Sequence, residues 1–174
     1  MLEPRRFGDE RGWFAEVYNQ RTFLEAGLPA AFVQDNQSLS RRGVLRGLHY
    51  QLGRPQGKLV RVLRGHICDV AVDLRRESPD FGKWAAFDLM GPEVSDTLRM
   101  LWIPQGFAHG FLVMSETAEV LYKTTDFYHP ESERCIVWDD ASLGISWPLE
   151  GMVPSVSAKD AAGKAFLEAD LPGS

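Results

Sequence analysis

Apolar residues fall in short runs separated by Gly and Pro along the whole chain, the spacing expected of many short strands. The clearest runs are Leu59-Val60-Arg61-Val62-Leu63 and Ile67-Cys68-Asp69-Val70-Ala71-Val72-Asp73-Leu74, on either side of Arg64-Gly65. Together they predict a hairpin whose second strand alternates in part. Further strands are predicted over residues 14–17, 44–50, 84–89, 99–103, 109–114, 118–125 and 135–138. Helical signals are few. One helix is predicted from Asn19, an N-cap, to Ala26 ahead of Gly27, and another begins at Ser157. No repeat, low-complexity tract or linker interrupts residues 1–174. The pattern is mainly β and predicts one domain, a sandwich or barrel.

Composition narrows the classes of function. With 44% hydrophobic and 25% charged residues, the chain has ordinary globular make-up and enough length for a sizeable core. A net charge of -5 argues against nucleic acid as a partner, because displacing counterions needs a basic patch. Any anionic ligand must therefore be met by a local cluster of cations. The N-terminus is charged from its third residue, and no apolar run approaches the roughly 20 residues of a membrane span. A soluble, unexported, cytoplasmic protein is the expectation. Cys68 and Cys135 form neither a CxxC pair nor a disulfide framework, which suits a reducing compartment, weighs against a thiolate zinc site and makes both packing residues.

Candidate chemistry begins at Pro104-Gln105-Gly106-Phe107-Ala108-His109, where Pro and Gly turn the chain so that a histidine opens the next strand facing inward. This motif resembles the second motif of cupins. Metal-binding cupins add two histidines and a glutamate from an earlier strand, but Leu48-His49-Tyr50-Gln51 has glutamine where the second histidine would stand. A metal held by His49, His109 and one carboxylate, as in a cupin dioxygenase, stays open on these residues. So does a pair of histidines that only satisfy hydrogen bonds inside a barrel. Arg46 and His49 lie three apart and would face opposite ways in a regular strand, unless a bulge or turn at Gly47 brings them together. Arginine suits a diphosphate and histidine suits proton abstraction near neutrality. Lys58 reads either as a stabiliser of a developing enolate or as a strand-edge lysine that discourages aggregation.

Six strings, RGLHYQ, QGKLVR, DVAVDLR, WIPQGFAHGF, LYKTTDFY and SAKD, occur in the order found in dTDP-4-dehydrorhamnose 3,5-epimerases, and the resemblance runs from about Phe7 to the C-terminal helix. It implies a cupin-type jelly-roll β-barrel with a few short helices. It also implies epimerisation of a dTDP-4-keto-6-deoxyhexose at C3 and C5. Both protons are acidified by the C4 ketone, so inversion needs no metal or redox cofactor. It needs a base on one face, an enolate stabiliser, and an acid on the other face.

By similarity, His49 is the base, Asp160 the carboxylate that orients its imidazole, Tyr122 the proton donor and Lys58 the enolate stabiliser, with His109 close to the sugar. Asp160 also fits a capping pattern three residues after Ser157, and Tyr122 also reads as a core aromatic. Phe7, Arg11 and Glu16 resemble a segment that contacts nucleotide and sugar, although Asp9-Glu10-Arg11-Gly12 also reads as a charged turn. Gln34-Asp35-Asn36 resembles a thymine-contacting strand. Arg46, Glu133 and Lys159 would complete the diphosphate site, with Tyr128 beside the base. Two features depart from the family. Members carry about one further strand ahead of Leu2, which helps build a homodimer, and Gln37 stands where histidine is more usual. Mono-epimerases acting on other deoxysugars and catalytically silent sugar-nucleotide-binding cupins share enough of this pattern to remain alternatives.

Overall fold

A computed structural model of the chain describes residues 1–29 and 31–172. A small hairpin of β1 (Phe7–Asp9) and β2 (Gly12–Phe14) comes first, followed by the short helix α1 (Gln20–Glu25). Eight longer strands follow: β3 (Gln34–Arg41), β4 (Val44–Gln51), β5 (Lys58–Arg64), β6 (His66–Asp73), β7 (Trp84–Met90), β8 (Met100–Ile103), β9 (Phe107–Val113) and β10 (Thr117–Thr124). Short strands β11 (Glu133–Cys135) and β12 (Ser155–Val156) and the one-turn helix α2 (Ala158–Ala161) complete the regular structure. They form a sandwich of two sheets, ordered β3-β10-β5-β8 and β11-β4-β9-β6-β7, with β12 running parallel against β4. This is the mainly β, jelly-roll architecture that the sequence predicts.

Alternation along the strands divides the apolar residues into three clusters. Between the sheets lie Val60 and Val62 of β5, Ile67 and Ala71 of β6, Phe111 and Val113 of β9, and Ala118 and Val120 of β10. The opposite face of the second sheet presents Leu45, Leu48, Tyr50, Val70, Val72 and Leu112 to a cover from the C-terminal segment, including Ile136, Leu143, Trp147, Phe166 and Leu171. Behind the first sheet, Leu59 and Met100 pack against Phe23 of α1. Each fully buried aliphatic side chain contributes about 1.5–3 kcal/mol. Both terminal segments are thus tied to the sandwich by apolar burial, which matters because α2 carries Asp160.

Several local expectations need correction. β5 and β6 are not a hairpin: β5 pairs with β10 and β8, whereas β6 pairs with β7 and β9 in the other sheet. Gly65 turns this corner at φ +84°, where an added Cβ would lie 2.1 Å from the Thr117 carbonyl oxygen. The strand expected over residues 14–17 stops at Phe14, because Val17 and Tyr18 leave to pack with Phe23 ahead of the Asn19 cap. The strand expected over residues 135–138 ends at Cys135, since Val137 donates to the Lys164 carbonyl instead of continuing along β4. His109 is the third residue of β9 and does not open it. The polar run of β3 is a full edge strand that periodicity did not reveal.

Candidate active site

One end of the inter-sheet core is polar. Its key device is a slip in β4: the pairing with β9 shifts register between Arg46 and His49. Leu45 and Leu48 both face the outer cluster, so Arg46 and His49 both face inward, as a bulge at Gly47 requires. Gly47 sits at φ +128°, and a Cβ there would lie 2.5 Å from Gly110 Cα. Only glycine fits that conformation and that approach.

Past the slip, a row of directly opposed residues crosses the sheet, from Cys135 on β11 to His49 on β4, His109 on β9 and Ala71 on β6. Opposed residues share a face. His49 Nε2 lies 2.8 Å from Asp160 Oδ1, and the Gly47 N–H donates to Asp160 Oδ2 at 3.2 Å. Ser157 caps α2 by accepting from the Asp160 N–H at 3.1 Å. The Asp160 carboxylate, with its side chain 6% exposed, is spent on His49 and Gly47, so the capping pattern and the dyad coexist. Burial pushes the Asp160 carboxyl up, but His49 and the Gly47 N–H outweigh it and hold the group below the usual carboxylate range.

A second imidazole–carboxylate pair lies beside the first. His109 Nε2 is 3.0 and 2.9 Å from the two Asp69 oxygens, and both residues are buried. Burial holds the His109 pKa down despite the pull of Asp69. Asp69 was not anticipated, yet a carboxylate inside the apolar run of β6 is a legible signal, because a buried charge needs a partner.

From the opposite sheet come Lys58 on β5 and Tyr122 on β10. Lys58 is buried and its ammonium donates to the His49 carbonyl oxygen at 3.3 Å. Burial lowers its pKa to about 8, against Asp69 and Glu133, which raise it. It is not a strand-edge lysine, since β5 is paired on both sides. Tyr122 packs against the inter-sheet core with its hydroxyl pKa raised, chiefly by burial.

These groups line a cleft of about 360 Å³ whose walls include Asn36, Arg46, His49, Lys58, His109 and Tyr122. Gln34 lines an adjoining hollow shared with His49 and Tyr122. The Arg46 guanidinium donates to buried Ser40 Oγ from Nε at 3.1 Å and Nη2 at 3.0 Å, a support that the sequence reading missed. At the rim, the Tyr128 hydroxyl donates to Glu133 Oε2 at 2.6 Å, and Lys159 pairs with the same oxygen.

Four expected site residues stand elsewhere. Asp35 faces away from the cleft and pairs with Lys123 at 2.9 Å, as alternation along β3 dictates for a residue between Gln34 and Asn36. Phe7 and Arg11 line a hollow within the β1–β2 hairpin, and Glu16 lines a groove beside α1. One chain alone does not bring these three to His49. Nor does it gather His49, His109 and one carboxylate into a common donor set: among the described residues, the group with metal-ligand spacing is His49, Cys135 and Asp160.

The sequence model of the dTDP-4-dehydrorhamnose 3,5-epimerase family matches residues 1–168. A dTDP-4-dehydrorhamnose 3,5-epimerase of Pseudomonas aeruginosa is 60% identical over 171 residues, covering 98% of this chain and 92% of its own. One of Salmonella typhimurium is 55% identical over 173 residues, with the same coverage of 98% and 92%. The crystal structure of a dTDP-6-deoxy-D-glucose-3,5-epimerase from Legionella pneumophila, in complex with dTDP-4-keto-L-rhamnose, superposes with a TM-score of 0.91 at 50% identity, covering 98% of this chain and 90% of that one. With the jelly-roll sandwich and the His49–Asp160 dyad inside it, this likeness along nearly the full length means that the chain belongs to the dTDP-4-dehydrorhamnose 3,5-epimerase family.

Proposed function

We propose that the protein is an isomerase that converts dTDP-4-keto-6-deoxy-D-glucose to dTDP-4-keto-L-rhamnose by inverting C3 and C5, and that a single domain carries the chemistry. The observation that supports this most directly is the two-sided cleft: His49 projects from one sheet and Tyr122 from the other. A hexose lying between them would meet a base on one face and an acid on the other, which inversion at carbon requires. His49 takes the proton next to the C4 ketone, and Asp160 fixes its tautomer and balances the imidazolium that forms. Electron density moves to the ketone oxygen, where the buried Lys58 ammonium and its low-dielectric surroundings favour the enolate. The Tyr122 hydroxyl then delivers a proton to the opposite face of the same carbon. Solvent resets both groups before the second carbon reacts.

Arg46, steadied by Ser40, would hold the diphosphate, with Lys159 at the rim and Tyr128 beside the thymine. Phe7, Arg11 and Glu16 join the site in this reading only if a second copy supplies them. Among the described residues the β1–β2 hairpin pairs with no other strand, and it exposes Phe7, Trp13 and Phe14, as a segment that docks on a partner would. We therefore include a homodimer in the proposal. Among the described residues no helix is long and apolar enough to cross a membrane, which accords with a cytoplasmic location.

Incubation with dTDP-4-keto-6-deoxyglucose in deuterated water tests the reading, because every inverted carbon gains solvent deuterium. NMR should show deuterium at C3 and C5, and His49→Ala should lose turnover by about 10²–10⁴-fold. Incorporation at one carbon only would make the protein a mono-epimerase. Incorporation that survives in His49→Ala would remove His49 as the base.

A further inference from the structure

We propose that His49, Cys135 and Asp160 form a site for a borderline-soft divalent cation of the zinc type, and that occupation of this site shuts off the proposed dyad. A ring nitrogen of His49, Cys135 Sγ and a carboxylate oxygen of Asp160 all lie within 4.8 Å of one another. Three donors of three kinds, one each of N, S and O, are thus already converged. Two features set them apart from an ordinary surface cluster. The carboxylate is buried rather than solvated, and the donors are fixed by backbone pairing: Cys135 stands directly opposite His49 across β11 and β4, while α2 and its Ser157 cap hold Asp160. Little reorganisation is needed for a tetrahedral ion to take all three and keep a fourth position for water on the cleft side, where His49 is part-exposed.

The donor set selects the ion. Thiolate and imidazole favour zinc, cobalt or cadmium, whereas magnesium and calcium prefer sites made wholly of oxygen. The cationic Lys58 and Arg46 line the same cleft and disfavour an ion held by charge alone. Zinc takes cysteine as the thiolate, so each ion that binds displaces the Cys135 proton to solvent. Nothing is oxidised or reduced. Once bound, the ion holds the imidazole and the carboxylate that the proposed mechanism needs for proton abstraction, and the base is silenced. The inhibitory part rests on the role proposed for His49, whereas binding does not.

Binding is therefore measured first and without substrate. Equilibrium dialysis of the purified protein with zinc chloride should give one ion per chain, unaffected by excess magnesium. Cobalt(II) in its place should produce a thiolate-to-metal charge-transfer band. Cys135→Ala should abolish the band and weaken zinc binding at least about tenfold, a loss seen even for groups that merely support a ligand. Zinc should then inhibit the unmodified enzyme but not Cys135→Ala, each compared with its own zinc-free rate. No zinc bound, equal binding with Cys135→Ala, or cobalt bound without the band would overturn the site, and the last outcome needs no variant to fold. Zinc bound through Cys135 to a protein with no epimerase activity would leave the site standing and bring down only the proposed function.

Discussion

At the scale of single residues, the cleft pairs groups whose environments push them toward different tasks. Tyr122 keeps its proton, since burial raises its pKa, and it sits across the cleft from His49. Tyr122→Phe preserves the ring against the core and deletes only that proton. In the proposed mechanism His49 can still remove a proton and return one from its own side, so deuterium exchange should outlast inversion, which should fall by about 10²–10⁴-fold. Comparing deuterium uptake with product formation in the variant checks this, and equal loss of both would put Tyr122 elsewhere in the mechanism. Lys58 makes a prediction about pH. Its pKa of about 8 in the folded protein, against the usual 10.5, means that the proposed enolate stabiliser loses its charge as pH rises through about 8. kcat/KM should fall through that range. Over the same window the unfolded chain binds more protons at this residue than the folded one, so the Lys58 contribution to stability rises with pH. Falling activity beside an undiminished denaturation midpoint is the expected pair of results, and unfolding in step with activity would refute it. Residues of this kind were legible by type, since His49, Lys58 and Asp160 stand in strings that carry the family resemblance. Asp69 left a trace as a carboxylate inside an apolar run, but its partner His109, like the Ser40 that supports Arg46, was not legible, because no spacing along the chain discloses a contact 40 residues away or one between strands of different sheets.

At the scale of elements, the site depends on one extra residue in one strand. Were β4 regular, Leu48 would point into the cleft and His49 into the apolar cover beneath it, so Gly47 fixes which side chain enters the cleft. Gly47→Ala must carry a Cβ at a positive φ and against the Gly110 backbone. A cost of about 2–4 kcal/mol follows from left-handed strain plus overpacking. Denaturant unfolding should show that loss, and the surviving folded protein should turn over poorly because His49 and Asp160 no longer meet at their present 2.8 Å. A variant as stable and active as the parent would mean that the bulge is incidental. The sequence suggested a bulge at Gly47 because arginine and histidine there had to converge to be useful. It misled on β5 and β6 because both strands are central and buried on both faces, so their apolar runs carry no sign of which sheet each joins. Its periodicity was silent on β3 for the opposite reason, and only the resemblance marked Gln34-Asp35-Asn36 as strand: an edge strand reading Gln-Asp-Asn-Gln-Ser-Leu-Ser-Arg has almost no apolar residue for periodicity to register.

At the scale of the whole molecule, the sandwich leaves its proposed nucleotide site divided. Arg46, Lys58 and His49 are held inside one chain, whereas Arg11 rides on a hairpin that joins neither sheet. If that hairpin crosses to a second copy, every cleft is built from two chains: the catalytic face of one and the Arg11 loop of the other. Arg11→Ala and His49→Ala would then damage the same cleft from different subunits. In a dimer of two unlike variants, one cleft collects both lesions and the other collects none. Random reassortment of equal amounts makes half of all dimers mixed, so about one quarter of the clefts become intact. Mixing two nearly inactive proteins after mild dissociation should therefore restore about a quarter of the unmodified rate. Phe7, Trp13 and Phe14 on this hairpin are all exposed, apolar surface of the kind that a partner would cover. If each hairpin instead folded back over its own cleft, every mixed dimer would hold one Arg11-deficient and one His49-deficient site, and mixing would restore nothing. Activity recovered on mixing thus reports the path of the eight residues from Phe7 to Phe14.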